Sequence, residues 1–245
     1  MCFSGCSYKL KEKGIEIGKE KQLEPLWKKA ASSLSRITIY SNPNNEPVTI
    51  YGESEGLRCI GVGTDAAVFQ HCSAPAYAFK LYARDKVFKV QEEEKIYGML
   101  GDFPFFSTCF ASGRDYLVLS YEEGTTLFDC LLQGIHIPEQ VIADVEEARQ
   151  FVYEKGLNPR DLHLKNILLQ HGRAKILDVS EYGIPYVDVR WEHLKKAYET
   201  HYSLLDGRAV PFWLVETVRK WYNHSQFSSY DEFMRMVLKY ITFRR

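Results

Sequence analysis

The chain has 245 residues, 45% of them hydrophobic and 26% charged; with that globular composition it can bury a full-sized core and is not a disordered tail. Its 31 Lys and Arg against 32 Asp and Glu give a formal net charge of −1, so it lacks the strong positive field of a general DNA binder or a membrane-surface protein. With no apolar run of about 18 residues and no apolar core near the start, neither a membrane span nor a signal peptide is expected, and the default compartment is the cytoplasm.

Residues 1–55 read as a helix and hairpin appended to a main domain: a lysine-rich opening, helical spacing around 23–34, then ITIY (37–40) and PVTI (47–50) flanking the turn-rich SNPNNE. From Gly56, GLRCIGVG, AAVFQHC and AYAFKLYA alternate apolar and polar positions, which predicts three adjacent antiparallel strands. Residues 86–100 take helical spacing, with Ile96, Tyr97 and Leu100 on one stripe, and Gly101 to Pro104 end it. FSTCFAS and DYLVLSY are two further strands. After Gly124 the pattern turns helical: TTLFDCLL, then a longer helix with Pro138 in its first turn and Val141, Val145, Ala148 and Val152 inward. NILLQ and AKILDV are short strands around His171-Gly172, and three amphipathic helices with aromatic inner faces, starting near Val189, Pro211 and Tyr230, complete the pattern.

Two features carry no specific chemistry. Cys2, Cys6, Cys59, Cys72, Cys109 and Cys130 form no CxxC pair, so reduced thiols are expected and a structural zinc site is not. Lys9, Lys11, Lys13, Lys19, Lys21, Lys28 and Lys29 cluster early, but interleaved glutamates make a solvated face, not a specific nucleic-acid surface.

The informative segment runs from Asn158 to Leu169. It places a carboxylate, Asp161, five residues before an amide, Asn166, in a polar loop leading into an apolar strand, and a second carboxylate, Asp178, ends the next strand. Phosphoryl transfer needs that trio: one carboxylate orients the attacking hydroxyl and takes its proton, while an amide oxygen and the other carboxylate hold Mg²⁺ against the phosphates.

This arrangement resembles the protein-kinase-like superfamily, whose catalytic loop reads HRDLxxxxN and whose metal-binding loop reads DFG. The matching residues are Pro159-Arg160-Asp161-Leu162-His163-Leu164-Lys165-Asn166 and Asp178-Val179-Ser180. Within the superfamily the chain looks most like compact bacterial serine/threonine kinase-like proteins related to RIO-type and lipopolysaccharide kinases. The resemblance implies an α+β, bilobal fold with an antiparallel β-rich N-lobe (56–120) and an abbreviated helical C-lobe (121–245); the appended residues 1–55 are expected to pack on the N-lobe. It also implies ATP and Mg²⁺ as cofactors.

Gly61-Val62-Gly63 with Val68 then fits the phosphate-covering loop, with Ala66 in the third glycine's place, and Ala78-Phe79-Lys80 fits the strand whose lysine contacts the α and β phosphates. Lys80 needs a carboxylate from the following helix. Glu93 is chosen because it puts Ile96, Tyr97 and Leu100 at +3, +4 and +7; Glu94 is the alternative, and Glu92 the third candidate. Leu119 takes the gatekeeper position, and backbone groups from Ser120 through Glu122 to Glu123 would meet the adenine edge. Asp161 is the expected catalytic base, with Asn166 and Asp178 on the metal.

The departures from the pattern are specific. Pro159 replaces the HRD histidine, Ser180 replaces the DFG glycine, and His163, two residues after Asp161, is similar to the DxH arrangement of small-molecule kinases, where bracing the loop is its expected role. No Ala-Pro-Glu follows Asp178, and the Trp191 helix begins within about a dozen residues, so the activation segment is vestigial. The unphosphorylated chain is therefore expected to be in its working arrangement already. In that state Lys80 pairs with Glu93 and Arg160 bonds to backbone or a nearby carboxylate, and Ser180, Tyr182 and Tyr186 are the hydroxyls close enough to act as switches. The expected activity is phosphorylation of a protein serine or threonine, with a small-molecule hydroxyl kinase and a nucleotide-binding pseudokinase as alternatives; the phosphoacceptor itself is not readable.

Overall fold

The computed structural model describes residues 26–186, 188–224 and 230–243. The lysine-rich opening, Cys2, Cys6 and the first residues of the helix expected at 23–34 lie outside the described residues. That helix is present as α1 (Leu26–Ala31), followed by a 3₁₀ turn at Ser32–Arg36. The expected hairpin forms from β1 (Thr38–Tyr40) and β2 (Thr49–Tyr51), paired antiparallel with Ile39 opposite Ile50.

The three alternating segments become β3 (Leu57–Val62), β4 (Ala66–His71) and β5 (Ala74–Tyr82). With β6 (Cys109–Ser112) and β7 (Tyr116–Ser120) they make a five-stranded antiparallel sheet in the order β3-β4-β5-β7-β6. Helix α2 (Phe88–Leu100) buries Val90, Glu93, Ile96, Tyr97 and Leu100 on one stripe. The central strand does not follow the alternation its sequence suggests, because every residue from Ala78 to Tyr82 is buried. Both faces of the sheet are covered, and a strand covered on both sides reads as a continuous apolar run. On one face Ile96, Tyr97 and Leu100 of α2 join Ala78 and Leu119; on the other, Ala30, Leu34, Ile39 and Val48 of the N-terminal segment pack with Phe69, Phe79 and Val118.

The second half holds α3 (Leu127–Gln133), α4 (Glu139–Glu154), α5 (Arg190–His201), α6 (Phe212–His224) and α7 (Tyr230–Phe243). Thr126 caps α3 by accepting the Asp129 N–H at 3.0 Å. Pro138 sits at the cap of α4 and not in its first turn as expected, with extended backbone that delivers the chain to the helix. Val141, Val145, Ala148 and Val152 face inward with no exposed surface. The short strands β8 (Thr125–Thr126), β9 (Ile167–Gln170) and β10 (Arg173–Ile176) form a second sheet in the order β10-β9-β8. His171 and Gly172 join β9 to β10, both at positive φ (50° and 79°), as a two-residue hairpin of the right twist requires. Of the aromatic inner faces expected on the last helices, Trp191, Tyr230 and Phe233 are buried, but Phe212 and Trp213 are 61% and 47% exposed. Helical spacing shows that a face is apolar without saying whether another element covers it. No described helix is long and apolar enough to cross a membrane.

The fold is thus α+β and bilobal: an antiparallel sheet with one long helix, followed by a helical half carrying a small three-stranded sheet. Backbone contacts join the halves, with Ile176 donating to the Phe105 carbonyl at 2.7 Å.

Candidate active site

Gly61 and Val62 end β3 and Gly63 begins the turn to β4, donating to the Ala66 carbonyl at 2.8 Å. A Cβ on Gly63 would stand 3.3 Å from that oxygen, tighter than ordinary contact, and one on Gly61 3.8 Å from Val68. The turn is held from behind and from the side. Val48 of the hairpin segment donates to the Gly63 carbonyl at 2.9 Å, and Lys89 of α2 meets Asp65 at 2.6 Å.

Val68 of β4 and Leu117 of β7 stand opposite Lys80 in register on either side of β5. The Lys80 ammonium donates to both Glu93 oxygens, at 2.9 and 2.8 Å, and to Asp178 at 3.1 Å, 98 positions along the chain. Glu94 instead accepts from Ser112, and Glu92 is exposed, so Glu93 is the carboxylate of the three that meets Lys80. Tyr82, two residues beyond Lys80 on the same strand face, donates its hydroxyl to Glu93.

The charges shape one another. Burial opposes the ammonium of Lys80, but Asp178 and Glu93 outweigh it and push its pKa up, so the lysine is charged. Burial raises Glu93 to about 7 against the pull of Lys80. Burial would raise Asp178 too, yet Lys80 and the N–H of Ser180, which donates to it at 2.9 Å, hold it down at about 2.

The catalytic-loop segment is anchored through Asp161, whose backbone is left-handed at φ 55°. Its N–H donates to Asp188 at 3.0 Å. The amide nitrogen of Asn166 donates to the carbonyl and carboxylate of Asp161 at 3.2 and 3.4 Å, which leaves the amide oxygen as a ligand atom. His163 accepts the Lys165 N–H on Nδ1 at 3.2 Å and brings Nε2 to 3.6 Å from Asp161. Burial lowers its pKa, so the ring is neutral and braces the loop. Arg160 lies 3.6 Å from Glu181 with its guanidinium over the Tyr186 ring. Of the three hydroxyls considered as switches, Tyr182 has no exposed surface, whereas Tyr186 is 69% exposed; a buried phenol is out of reach of a modifying enzyme in this arrangement.

In the inter-lobe segment the N–H groups of Ser120 and Tyr121 are already spent, on the carbonyls of Thr108 (2.8 Å) and Ala76 (2.9 Å). The Glu123 carbonyl is spent as well, accepting from Gln170 at 2.8 Å. The Ser120 hydroxyl donates to the Glu122 carboxylate, which lies 3.4 Å from Lys175. The expectation that all backbone groups from Ser120 to Glu123 serve an adenine edge therefore narrows. Leu119 is buried beside Ala78, and Val68, Tyr121 and Leu169 are partly buried against the same apolar cluster.

The donor set fits the groups that the sequence implied. Asp178 and the Asn166 amide offer the hard oxygens that Mg²⁺ takes, which needs few protein ligands when phosphates supply others. Lys80 and the small-residue turn suit a polyphosphate. A cavity of about 580 Å³ lined by His136, Glu139, Glu146, Lys195 and Asp206 contains none of these residues. Sequence reasoning missed Tyr82, which strand alternation from Lys80 could have found. It also missed Asp188 and Arg190, whose guanidinium donates to the Asp161 carboxylate, and no local pattern announces either.

No family model matches the chain. The Bacillus subtilis protein YrzF, whose name assigns it provisionally to the serine/threonine-protein kinases, is 30% identical over 188 residues, 75% of this chain and 87% of its own length. Testis-specific serine/threonine-protein kinase 3 of Mus musculus is 36% identical over 72 residues, 28% of this chain and 27% of its own. Atypical protein kinase C of Drosophila melanogaster is 28% identical over 142 residues, 51% of this chain and 23% of its own. These relatives do not bear on the narrower kinship with RIO-type and lipopolysaccharide kinases. With YrzF matched across most of both chains and the lysine, glutamate and aspartate gathered between a sheet half and a helical half, the chain belongs to the protein-kinase-like family.

Proposed function

We propose that this chain is an ATP- and Mg²⁺-dependent phosphotransferase acting on protein serine or threonine hydroxyls. The observation that carries the reading is the meeting of Lys80 with Glu93 at 2.8 Å and with Asp178 at 3.1 Å, beside a loop in which Asn166 is tied to Asp161. Lys80 binds α and β phosphate oxygens and Glu93 holds it there, while the Gly61–Gly63 turn covers the phosphates. Val68 and Leu119 flank the base, and the N–H groups of Glu122 and Glu123 face its edge. Asp178 and Asn166 would hold Mg²⁺, which when bound neutralises phosphate charge. Asp161 orients the acceptor hydroxyl and accepts its proton.

A small hydroxylated molecule is the second reading for the acceptor. It is favoured by the short stretch after Asp178, which lays the first turn of α5 directly on the catalytic loop through Asp188 and leaves little chain for a peptide platform. Labelled ATP with Mg²⁺ and cell extract, separated into protein and metabolite fractions, distinguishes the two. Label on serine or threonine in the protein fraction supports the first, label among metabolites the second, and no transfer with a purified, folded chain overturns both.

A further inference from the structure

We propose that Arg190 is a positioning residue for the transfer step, fixing the Asp161 carboxylate in a closed clamp that does the work of an ordered activation segment; this rests on the phosphotransferase reading above. Asp161 has φ 55°, a conformation that a non-glycine residue keeps only when its surroundings impose it. Its N–H donates to one oxygen of Asp188 at 3.0 Å, and the other oxygen of Asp188 accepts the Arg190 N–H at 2.9 Å. Arg190 then closes the circuit, its Nη1 donating to Oδ1 of Asp161 and its Nη2 standing 3.9 Å from Asp188. One guanidinium fork therefore spans both carboxylates, which a lysine's single ammonium cannot do.

The clamp divides the two oxygens of Asp161. Oδ1 is taken by Arg190, and Oδ2 is the oxygen that faces Asn166 Nδ2 at 3.4 Å and His163 Nε2 at 3.6 Å. Those longer contacts leave Oδ2 able to accept from an acceptor hydroxyl while Oδ1 holds the group's orientation. Neighbouring cations do not duplicate the contact. Among the described residues Arg190 is the only lysine or arginine within 4.0 Å of the Asp161 carboxylate; Lys165 lies 3.3 Å from Glu216 and Arg160 3.6 Å from Glu181. A misplaced reacting group costs about 10²-fold per ångström, so the one Lys or Arg contact on the carboxylate matters to rate more than to nucleotide affinity.

The test compares the parent, Arg190→Ala and Arg190→Lys in transfer from labelled Mg²⁺–ATP to the extract fraction that the parent labels, together with the melting shift that Mg²⁺–ATP induces. Arg190→Ala should lose about 10²-fold in kcat with the ATP KM and melting shift unchanged. Arg190→Lys should recover part of the loss, and guanidinium chloride at millimolar concentration should partly restore Arg190→Ala, which a merely structural role would not allow. Should Arg190→Ala not fold, Arg190→Gln is read the same way. Unchanged kcat, a raised kcat (Arg190 then blocks the acceptor) or loss of the melting shift overturns the inference. A parent that neither shifts with Mg²⁺–ATP nor transfers phosphate overturns the reading beneath it as well, and by a different signature.

Discussion

Asp144 and Glu93 are both fully buried carboxylates on long helices, yet they are treated in opposite ways. Asp144 receives four N–H donors within 2.8–2.9 Å: Gln140, two nitrogens of Arg173, and the backbone of Ala174. Burial would raise its pKa, but these bonds outweigh burial and lower it. Glu93 shares its single cation, Lys80, with Asp178, and there burial wins. A carboxylate that only joins helix α4 to strand β10 can be saturated with donors. One whose lysine is shared with a second carboxylate is left less fully compensated.

The largest expected effect separates chemistry from support. Asp161→Asn should lower turnover about 10³-fold while keeping the Mg²⁺–ATP melting shift, whereas Asp178→Ala should lose both. At about 100 times the dissociation constant, that shift should be roughly 5–11 °C for the parent. Asp144→Asn, by contrast, should leave turnover per folded molecule unchanged, and a rate loss there would break the comparison.

Next in size is stability. Asp144→Ala leaves the buried N–H of Ala174 without its acceptor and frees Arg173, which should cost about 2–3 kcal/mol, read as a fall in Tm of about 4–12 °C. Glu93→Gln should behave oppositely with pH. A carboxyl whose folded pKa of about 7 lies above its unfolded value of 4.5 binds protons more tightly when folded, so the parent loses stability as pH rises from about 4.5 to about 7. Gln carries no such titration, so its stability relative to the parent should rise by roughly 1–3 kcal/mol across that interval, as measured by urea unfolding at pH 5 and pH 8. For Asp144, with its pKa lowered below 3.8, the sign reverses: its contribution is present above that value and is lost as pH falls through the folded pKa. A flat difference between parent and Glu93→Gln would show that Glu93 is as well compensated as Asp144.

The smallest expected effect is that of Tyr82→Phe, which removes one hydroxyl bond to Glu93. It should cost about 1 kcal/mol and keep most of the melting shift; a loss as large as that of Asp144→Ala would make Tyr82 a principal support of the pair.

Most elements were legible because their signals are local. Period-two runs marked the sheet strands, His171-Gly172 marked the β9–β10 turn, and the Ile96, Tyr97, Leu100 stripe selected Glu93 from three adjacent glutamates by asking which of them faces the sheet. What was not legible depends on what covers what. The unbroken burial of Ala78 to Tyr82 follows from the N-terminal segment lying on the outer face, and the exposure of Phe212 and Trp213 depends likewise on how the helices pack, which helical spacing does not give. Asp188 and Arg190 reach Asp161 only because the connection after Asp178 is short enough to bring α5 there, a matter of chain length in space that residue spacing does not encode.

The N-terminal hairpin has a mechanical consequence. It donates from Val48 to Gly63 at 2.9 Å and joins Ser41 to Asp85, just before α2, at 2.6 Å. The Gly61–Gly63 turn and the approach to the Glu93 helix are thus tied to one external frame. Cutting the chain at Gly56 would not yield a smaller working lobe, because Phe69, Phe79 and Val118 would form a bare adhesive surface on its outside.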